Sequence, residues 1–197
     1  MTDFFGENGA RYMRVICIAL LGASLAGCTG LTMKSPTASA TTVEKLRVAK
    51  LAAATTGTFV LAPGRDHSMD TSIGSRGHAI VPGSGSFAQE LRDEIVVELK
   101  ASGLYDEKSN IVIEGQLTES ELETGMGTGS GRLAAKFSVT RAGKPVYGKE
   151  LAVEAKWDSS FLGAVAIPEA MNQYIALYKA LAAKLFDDPE FRIALAP

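Results

Sequence analysis

The chain has 197 residues, of which 46% are apolar and 21% are charged. This balance is typical of a globular protein, and the length suits one well-buried domain better than two. Because 20 basic side chains are offset by 22 acidic ones, the chain lacks the basic balance of proteins that bind nucleic acids by neutralising phosphates. Two cysteines cannot build a disulfide framework, and two histidines leave few ways to build a histidine-based metal or catalytic site.

The first 27 residues have the pattern of a signal peptide. An uncharged apolar run from Val15 to Gly27 follows Arg11 and Arg14. A membrane-spanning helix needs about 20 apolar residues, so this shorter run is typical of the apolar core of a signal peptide. Met13, which directly precedes Arg14, is an alternative translation start.

The apolar run ends in Leu25-Ala26-Gly27-Cys28, which resembles the lipobox of bacterial lipoproteins. In that family the segment before the cysteine is removed, and the cysteine carries a diacylglycerol and a further acyl chain such as palmitate. The resemblance implies lipid attachment at Cys28. An Asp after the cysteine tends to mark retention in the inner membrane, and here the residue is Thr29. The resemblance therefore favours the periplasmic face of the outer membrane. An ordinary secretory signal with an incidental cysteine, or a buried helix, is the alternative.

Cleavage before Cys28 would leave the mature chain without a free thiol. Cys17 lies inside the apolar run and would be discarded with it. We therefore expect no cysteine nucleophile, no cysteine-based zinc site and no redox pair in the mature protein.

Before the first clear helix we predict a tether, a pair of extended runs and a long loop. Residues 28–42 form the lipidated N-terminus and a flexible tether, because they are small, polar and interrupted by proline. The periplasmic domain then covers residues 43–197. It starts with an extended run over residues 43–54, for which a strand is preferred to a helix, and a second strand over Thr58–Ala62. Residues 63–86 are rich in glycine and serine and are predicted to form a long irregular loop.

The next segment is predicted to be an amphipathic helix. Ser86 and Gln89 have the spacing of a capping box, and Gly103 suits the C-cap. Apolar residues then recur every fourth position and define one buried face. These residues are Phe87, Leu91, Ile95 and Leu99.

Three strands and a second helix follow. Apolar and polar residues alternate over 111–122, 133–139 and 147–157, which predicts an antiparallel meander with one face in water. The final helix is predicted to open at Pro168 and to end at Asp187-Asp188-Pro189, with a last short helical piece over Glu190–Leu195. The predicted fold class is α+β, a two-layer sandwich of a mainly antiparallel sheet with two amphipathic helices on one face.

The corner after the first long helix carries a second resemblance. Ser102-Gly103-Leu104-Tyr105 is followed by a strand that starts near Asn110. This arrangement resembles YajG-like lipoproteins and outer-membrane assembly lipoproteins of Gram-negative envelopes, over residues 87–186. The resemblance implies the fold and the envelope location only.

The residues with catalytic or metal-binding chemistry lie mainly in the predicted loop. Asp66, His67, Asp70 and His78 offer two nitrogen and two oxygen ligands for a divalent metal. A mobile loop loses much conformational freedom on binding, however, so we expect a solvated loop, no metal and no cofactor. Residues 83–86, Gly-Ser-Gly-Ser, are similar to a phosphate cradle at a helix N-terminus, although a capped helix entrance explains them better.

Two groups of residues are candidates for a partner surface. Glu119, Glu121 and Glu123 alternate along a strand and should project from one side. They are either an ordinary solvated face or a docking surface for a basic partner or a divalent ion. Phe161, Leu162 and Val165 lie in an apolar loop before the last helix. They either fold into the core or form an exposed patch for a membrane or protein partner.

Together these features predict a non-enzymatic lipoprotein of the outer membrane. Its periplasmic domain would bind or help to assemble another envelope protein. The N-terminal acyl chains would attach the protein to the membrane, and no nucleic acid would be bound. One alternative is an envelope hydrolase or metal-dependent enzyme that uses residues 63–86. Another is a carrier of a small lipid or glycan ligand between the helices and the sheet.

Overall fold

The computed structural model describes residues 30–197, which contain seven strands and four α-helices. The strands are β1 Leu31–Thr32, β2 Thr55–Leu61, β3 Ile73–Ser75, β4 His78–Val81, β5 Ile111–Thr124, β6 Gly127–Arg141 and β7 Lys144–Ser159. The helices are α1 Ala40–Val48, α2 Phe87–Ser102, α3 Gly163–Asp187 and α4 Pro189–Ala194. The predicted signal peptide and Cys28 lie outside the described residues.

The main sheet has the strand order β2-β5-β6-β7. Strands β5, β6 and β7 pair antiparallel along almost their whole length, which confirms the predicted meander. Ile113 lies opposite Val139, and Val139 lies opposite Tyr147, so the apolar residues of three strands meet on one face. Ala142 and Gly143 both have positive φ between β6 and β7, as the tight hairpin turns with two central residues require.

Strand β2 confirms the predicted second extended run and pairs parallel with β5. A parallel pair needs a crossover connection, and here the connection contains β3, β4 and α2. The aromatic ring of Phe59 in β2 covers Gly115 in β5, where a Cβ atom would lie 2.5 Å from Cε1 of the ring. The glycine therefore allows the two strands to pair beneath a buried phenylalanine.

Helix α2 forms where its periodicity predicts. The Ser86 hydroxyl accepts a hydrogen bond from the Gln89 backbone N–H (3.3 Å), and Gly103 ends the helix in the left-handed conformation with φ 78°. The Gln89 side chain donates to the Phe59 carbonyl (2.8 Å) instead of returning to the cap. Only half of the predicted capping box is therefore present, and the other half joins α2 to β2.

Helix α3 begins earlier than predicted, at Gly163 instead of Pro168. Ala166 and Ile167 are buried, so the turn before the proline packs against the core and becomes helical. The predicted end is confirmed at Asp187. The Asp188 carboxylate accepts hydrogen bonds from the Glu190 and Phe191 backbone N–H groups and caps α4, which corresponds to the predicted last helical piece.

The prediction of a strand over residues 43–54 is wrong, because α1 occupies residues 40–48. Ser39 caps this helix, and Val43 and Leu46 are buried on one side of it. The prediction of a flexible tether is also wrong for residues 31–42. Leu31 and Thr32 form β1, and Met33 is buried with its N–H donating to the Val81 carbonyl (2.9 Å). A buried methionine in an otherwise polar segment attaches it to the domain.

Residues 63–86 are not one irregular loop as predicted. They contain a 3₁₀ turn at His67–Asp70 and the hairpin of β3 and β4. β1 pairs parallel with β4, which completes a second sheet of order β1-β4-β3. Ile80 is fully buried at the centre of this sheet, and the partly buried Ile73 packs against the core beside it, so two isoleucines attach the segment to the domain.

The core lies between the main sheet and the long helices α2 and α3. Its largest side chains include Tyr174 and Tyr178 of α3, whose hydroxyls lie 3.1 Å apart. The Tyr174 hydroxyl also lies 2.6 Å from the Ser120 hydroxyl of β5, so this buried polar pair is hydrogen-bonded. The predicted α+β sandwich is confirmed. None of the helices described between residues 30 and 197 has the length and apolarity to span a bilayer.

Candidate functional site

The predicted acidic row, Glu119, Glu121 and Glu123, lies on the outer face of the main sheet, the face turned away from α2 and α3. A register shift between Leu117 and Glu119 changes which positions of β5 face the core. Leu117 is buried before the shift, whereas Ser120 and Leu122 are buried after it. The three glutamates share one side of β5, as predicted, and the bulge turns that side outward.

One basic residue of the neighbouring strand β6, Arg132, partly neutralises the acidic row. Arg132 in β6 forms an ion pair with Glu119 and lies 3.5 Å from the Glu154 carboxylate of β7. Exposed pairs of this kind contribute little to stability. Glu121 and Glu123 have no ion-pair partner among residues 30–197. They line a shallow depression together with Ser130, Arg132, Glu154 and Lys156.

The predicted apolar residues 161, 162 and 165 span the end of the loop and the first turn of α3, and they are exposed instead of folded into the core. Phe161 is 74% exposed, Leu162 70% and Val165 56%. Met126, in the turn between β5 and β6, is 77% exposed. We call these four residues the apolar tip. The sequence identified three of them, whereas Met126 was missed because nothing in the sequence joins it to a loop more than thirty residues later.

Arg76 holds the two segments of the apolar tip together. It lies in the turn between β3 and β4, and its guanidinium donates to the carbonyls of Thr124 (2.8 Å), Gly125 (2.7 Å) and Phe161 (3.3 Å). It also donates to the Ser159 hydroxyl (3.3 Å). One side chain thus connects three loops at one end of the sheet.

The polar residues of segment 63–86 serve the local fold. Asp66 caps the 3₁₀ turn through the Ser68 N–H, and this hydrogen bond holds the pKa of the Asp66 carboxyl below its usual value. Asp70 is buried, and its carboxylate accepts hydrogen bonds from the Ser86 hydroxyl (2.7 Å) and the Ala88 N–H (2.8 Å) at the start of α2. In the part of the chain that the structure describes, no three histidine, cysteine, aspartate or glutamate side chains form a group that could hold a metal ion.

The Gly-Ser-Gly-Ser segment before α2 is occupied by a carboxylate of the protein itself. The Ser84 N–H and hydroxyl donate to Oε1 of Glu90, at 2.7 Å and 3.0 Å. The amide that would have faced a phosphate is therefore hydrogen-bonded to a buried glutamate, in agreement with the prediction of a structural helix entrance.

A stripe of three buried glutamates on α2 was not predicted as a site. Glu90, Glu94 and Glu98 recur every fourth residue, and all three are buried. Their spacing was visible in the sequence, but charged residues at that spacing are usually exposed. They are covered because residues 33–39 and α1 pack beside α2 and α3. The Ser39 N–H donates to Glu98 (2.8 Å), and Lys179 of α3 donates to the Thr37 carbonyl (2.9 Å).

Glu94 has an unusual environment within this stripe. Its Oε1 atom has no hydrogen-bond partner among the described residues. Burial raises the pKa of Glu94 to about 7, and the negative charges of Glu98 and Glu90 act in the same direction, while Lys179 opposes them. Burial also raises the pKa of Glu98, opposed by the Ser39 N–H and Lys179. A carboxyl group buried in this way favours its neutral form.

The fold resembles known structures, although the sequence matches no family model and no curated protein. A crystal structure of a Xanthomonas campestris protein of family DUF330 has a TM-score of 0.54 at 11% identity, covering 80% of this chain and 92% of that one. A Caulobacter crescentus protein has a TM-score of 0.43 at 13% identity, with coverages of 79% and 96%. A minor lipoprotein from Acinetobacter baumannii has a TM-score of 0.40 at 15% identity, with coverages of 68% and 87%. The first likeness concerns the fold alone, and no functional conclusion is taken from any of the three.

Proposed function

We propose that the chain is a lipoprotein of the outer membrane, anchored through Cys28, whose periplasmic domain binds another envelope protein without catalysis. The observation that carries this proposal is the order of a basic flank, a short apolar run, small residues and a cysteine just before the domain. The lipid chains would keep the domain at the membrane surface at high effective concentration.

The exposed surfaces support a binding role. The acidic row leaves Glu121 and Glu123 without ion-pair partners among residues 30–197, so the outer face of the sheet can accept basic groups of a partner. Segment 63–86 supports an enzyme less well, because Asp70 holds the start of α2 and Asp66 caps a turn. Both aspartates of the alternative metal site thus have structural partners.

The interior offers little support for the ligand-carrier alternative. Apolar side chains of α2, α3 and the inner face of the sheet form one packed cluster. The depression lined by Thr58, Gln116 and Lys136 lies on the outer face of the sheet, and its volume is about 290 Å³. It is open and polar, whereas a site for a lipid chain needs an apolar interior.

Metabolic labelling with a fatty-acid analogue tests the anchor. We expect label on the wild-type protein and on Cys17→Ser, because Cys17 lies in the removed segment, and no label on Cys28→Ser. Persistent acylation and membrane association of Cys28→Ser in high salt would refute the proposal. Thr29→Asp tests in which membrane the protein resides. After separation of the inner and outer membranes, we expect the variant in the inner-membrane fraction. An unchanged distribution would contradict the inference that Thr29 directs the protein to the outer membrane.

In-cell crosslinking tests the partner. A photoreactive residue is placed at Glu121, and a matched one at the exposed Glu107 on the turn before β5. We expect a specific crosslinked protein in the outer-membrane fraction from position 121 and none from position 107. The Glu123→Lys variant should weaken the crosslink if a basic surface docks here. Equal products from both positions, or none from either, would contradict a partner on the outer face.

A further inference from the structure

The apolar tip lies at the end of the domain where the described chain starts. β1 runs parallel to β4, with Leu31 opposite Ile80. The N-terminal end of β1 therefore points toward the start of β4 at His78 and the turn at Arg76 and Gly77 that precedes it. A Cβ atom on Gly30 would lie 3.3 Å from the Ala79 carbonyl, so Gly30 is already beside this part of β4.

The distance from this point to the predicted lipid is short. Cys28 is two residues before Gly30, and two residues span at most about 7 Å of chain. Arg76, in the adjoining turn, is hydrogen-bonded to the carbonyls of Gly125 and Phe161. An acylated Cys28 would thus hold the apolar tip at the bilayer surface.

The backbone of the tip is suited to an apolar environment. Exposed carbonyl groups that enter a bilayer need hydrogen-bond partners, and Arg76 supplies donors to those of Thr124, Gly125 and Phe161. The first turn of α3 has no side-chain cap and no acidic residue. Because α3 starts directly after Leu162, the positive end of its dipole lies beside the tip, where it can attract lipid phosphates.

We propose that Met126, Phe161, Leu162 and Val165 insert into the head-group region of the membrane beside the lipidated Cys28. This inference rests on the proposed lipid anchor and adds an orientation to it. The domain stands on the bilayer with the apolar tip down, and the opposite end of the sheet faces the periplasm. Exposed apolar patches commonly mark membrane or protein contacts, and the short connection to Cys28 favours the bilayer as the occupant.

Depth-dependent quenching in vesicles tests the orientation. The mature lipidated protein is reconstituted into vesicles of phosphatidylethanolamine and phosphatidylglycerol that contain spin-labelled acyl chains. The mature chain is expected to have no free thiol, so Leu162→Cys provides one site for an environment-sensitive dye. Val48→Cys is the matched control: Val48 is 68% exposed, and the Arg47 side chain beside it contacts the Ala101 carbonyl at the far end of α2.

We expect the dye at position 162 to be quenched roughly two-fold or more, because interfacial segments lie about 5–10 Å deep at the acyl boundary. The dye at position 48 should be unaffected. A second tip site, Met126→Cys, should behave like position 162. Flotation of the same samples with the vesicles, and mass spectrometry of the acyl chains, report the anchor separately.

The outcomes distinguish the two proposals. Protein that is acylated and floats with the vesicles but shows no quenching at 162 and 126 overturns the inserted tip and leaves the anchor intact. Equal quenching at 162 and 48 also overturns it, because the domain would then lie on its side. Protein that is neither acylated nor vesicle-bound refutes the anchor itself.

Discussion

The replacement Glu94→Gln should change how the stability of the domain depends on pH. Glu94 is buried among Glu90, Glu98 and Lys179, and its pKa is raised to about 7 from an ordinary value of 4.5. Glutamine has nearly the same shape but stays neutral at every pH. The substitution therefore removes the ionisation of Glu94 with little change in packing.

The sign of the effect follows from the direction of the pKa shift. A carboxyl whose pKa is higher in the folded state contributes its full stabilisation below the unfolded value, about 4.5, and loses it as the pH rises through about 7. At about 1.4 kcal/mol per pH unit, the loss for Glu94 is at most about 3.5 kcal/mol. The pKa of Glu98 is also raised, so a smaller decline should persist in Glu94→Gln.

Urea unfolding followed by circular dichroism at several pH values between 5 and 8 measures the effect. The mature chain with Cys28→Ser serves as the background, because it needs no detergent. We expect its free energy of unfolding to fall with rising pH, and Glu94→Gln to fall by about 2 kcal/mol less. Glu107→Gln, at an exposed turn, is the control and should leave the slope unchanged. Parallel curves for Glu94→Gln and its background would refute the reasoning.

Two further substitutions test the packing. Gly129→Ala should destabilise the domain by about 1–3 kcal/mol and shift the fluorescence of Trp157, because a Cβ atom would lie 2.3 Å from Cε2 of that indole. Gly148→Ala is the control and should do neither, because its Cβ atom would meet nothing within 4 Å. Equal unfolding midpoints for the two variants would contradict the expected clash. Asp70→Ala should cost about 1–3 kcal/mol, because the buried Ala88 N–H and the partly buried Ser86 hydroxyl lose their acceptor at the start of α2. The exposed cap variant Asp66→Ala should cost less. Thermal unfolding that ranks the two variants in the opposite order would show that the buried cap is dispensable.

The elements predicted well are those whose signals are local. Helix α2 has an apolar residue at every fourth position and a glycine at its end, and the strands of the meander alternate over most of their length. Such patterns require no knowledge of what packs against them. That Glu119, Glu121 and Glu123 share one side of β5 was predicted for the same reason, whereas the bulge that turns this side outward was not.

The errors lie where a distant part of the chain decides the outcome. Residues 31–42 are polar enough to read as a tether, yet Met33 is buried against the domain and Thr37 is hydrogen-bonded to Lys179. Ile80 likewise converts a segment rich in glycine and serine into a strand. Both Met33 and Ile80 are buried by contacts with residues distant in the chain, which the neighbouring sequence does not reveal.

The amino-acid sequence by itself determined the secondary structure of the main layers, the shared side of the three glutamates and the lipobox-like motif at Cys28, because periodicity, caps and short motifs depend on neighbours along the chain. The tertiary structure alone decided that Glu94 is buried, since that depends on the segment and the helix packed over it. It also decided that Met126 and Phe161 share one end of the domain with Gly30, because Arg76 and the parallel pairing of β1 with β4 join residues far apart in the chain.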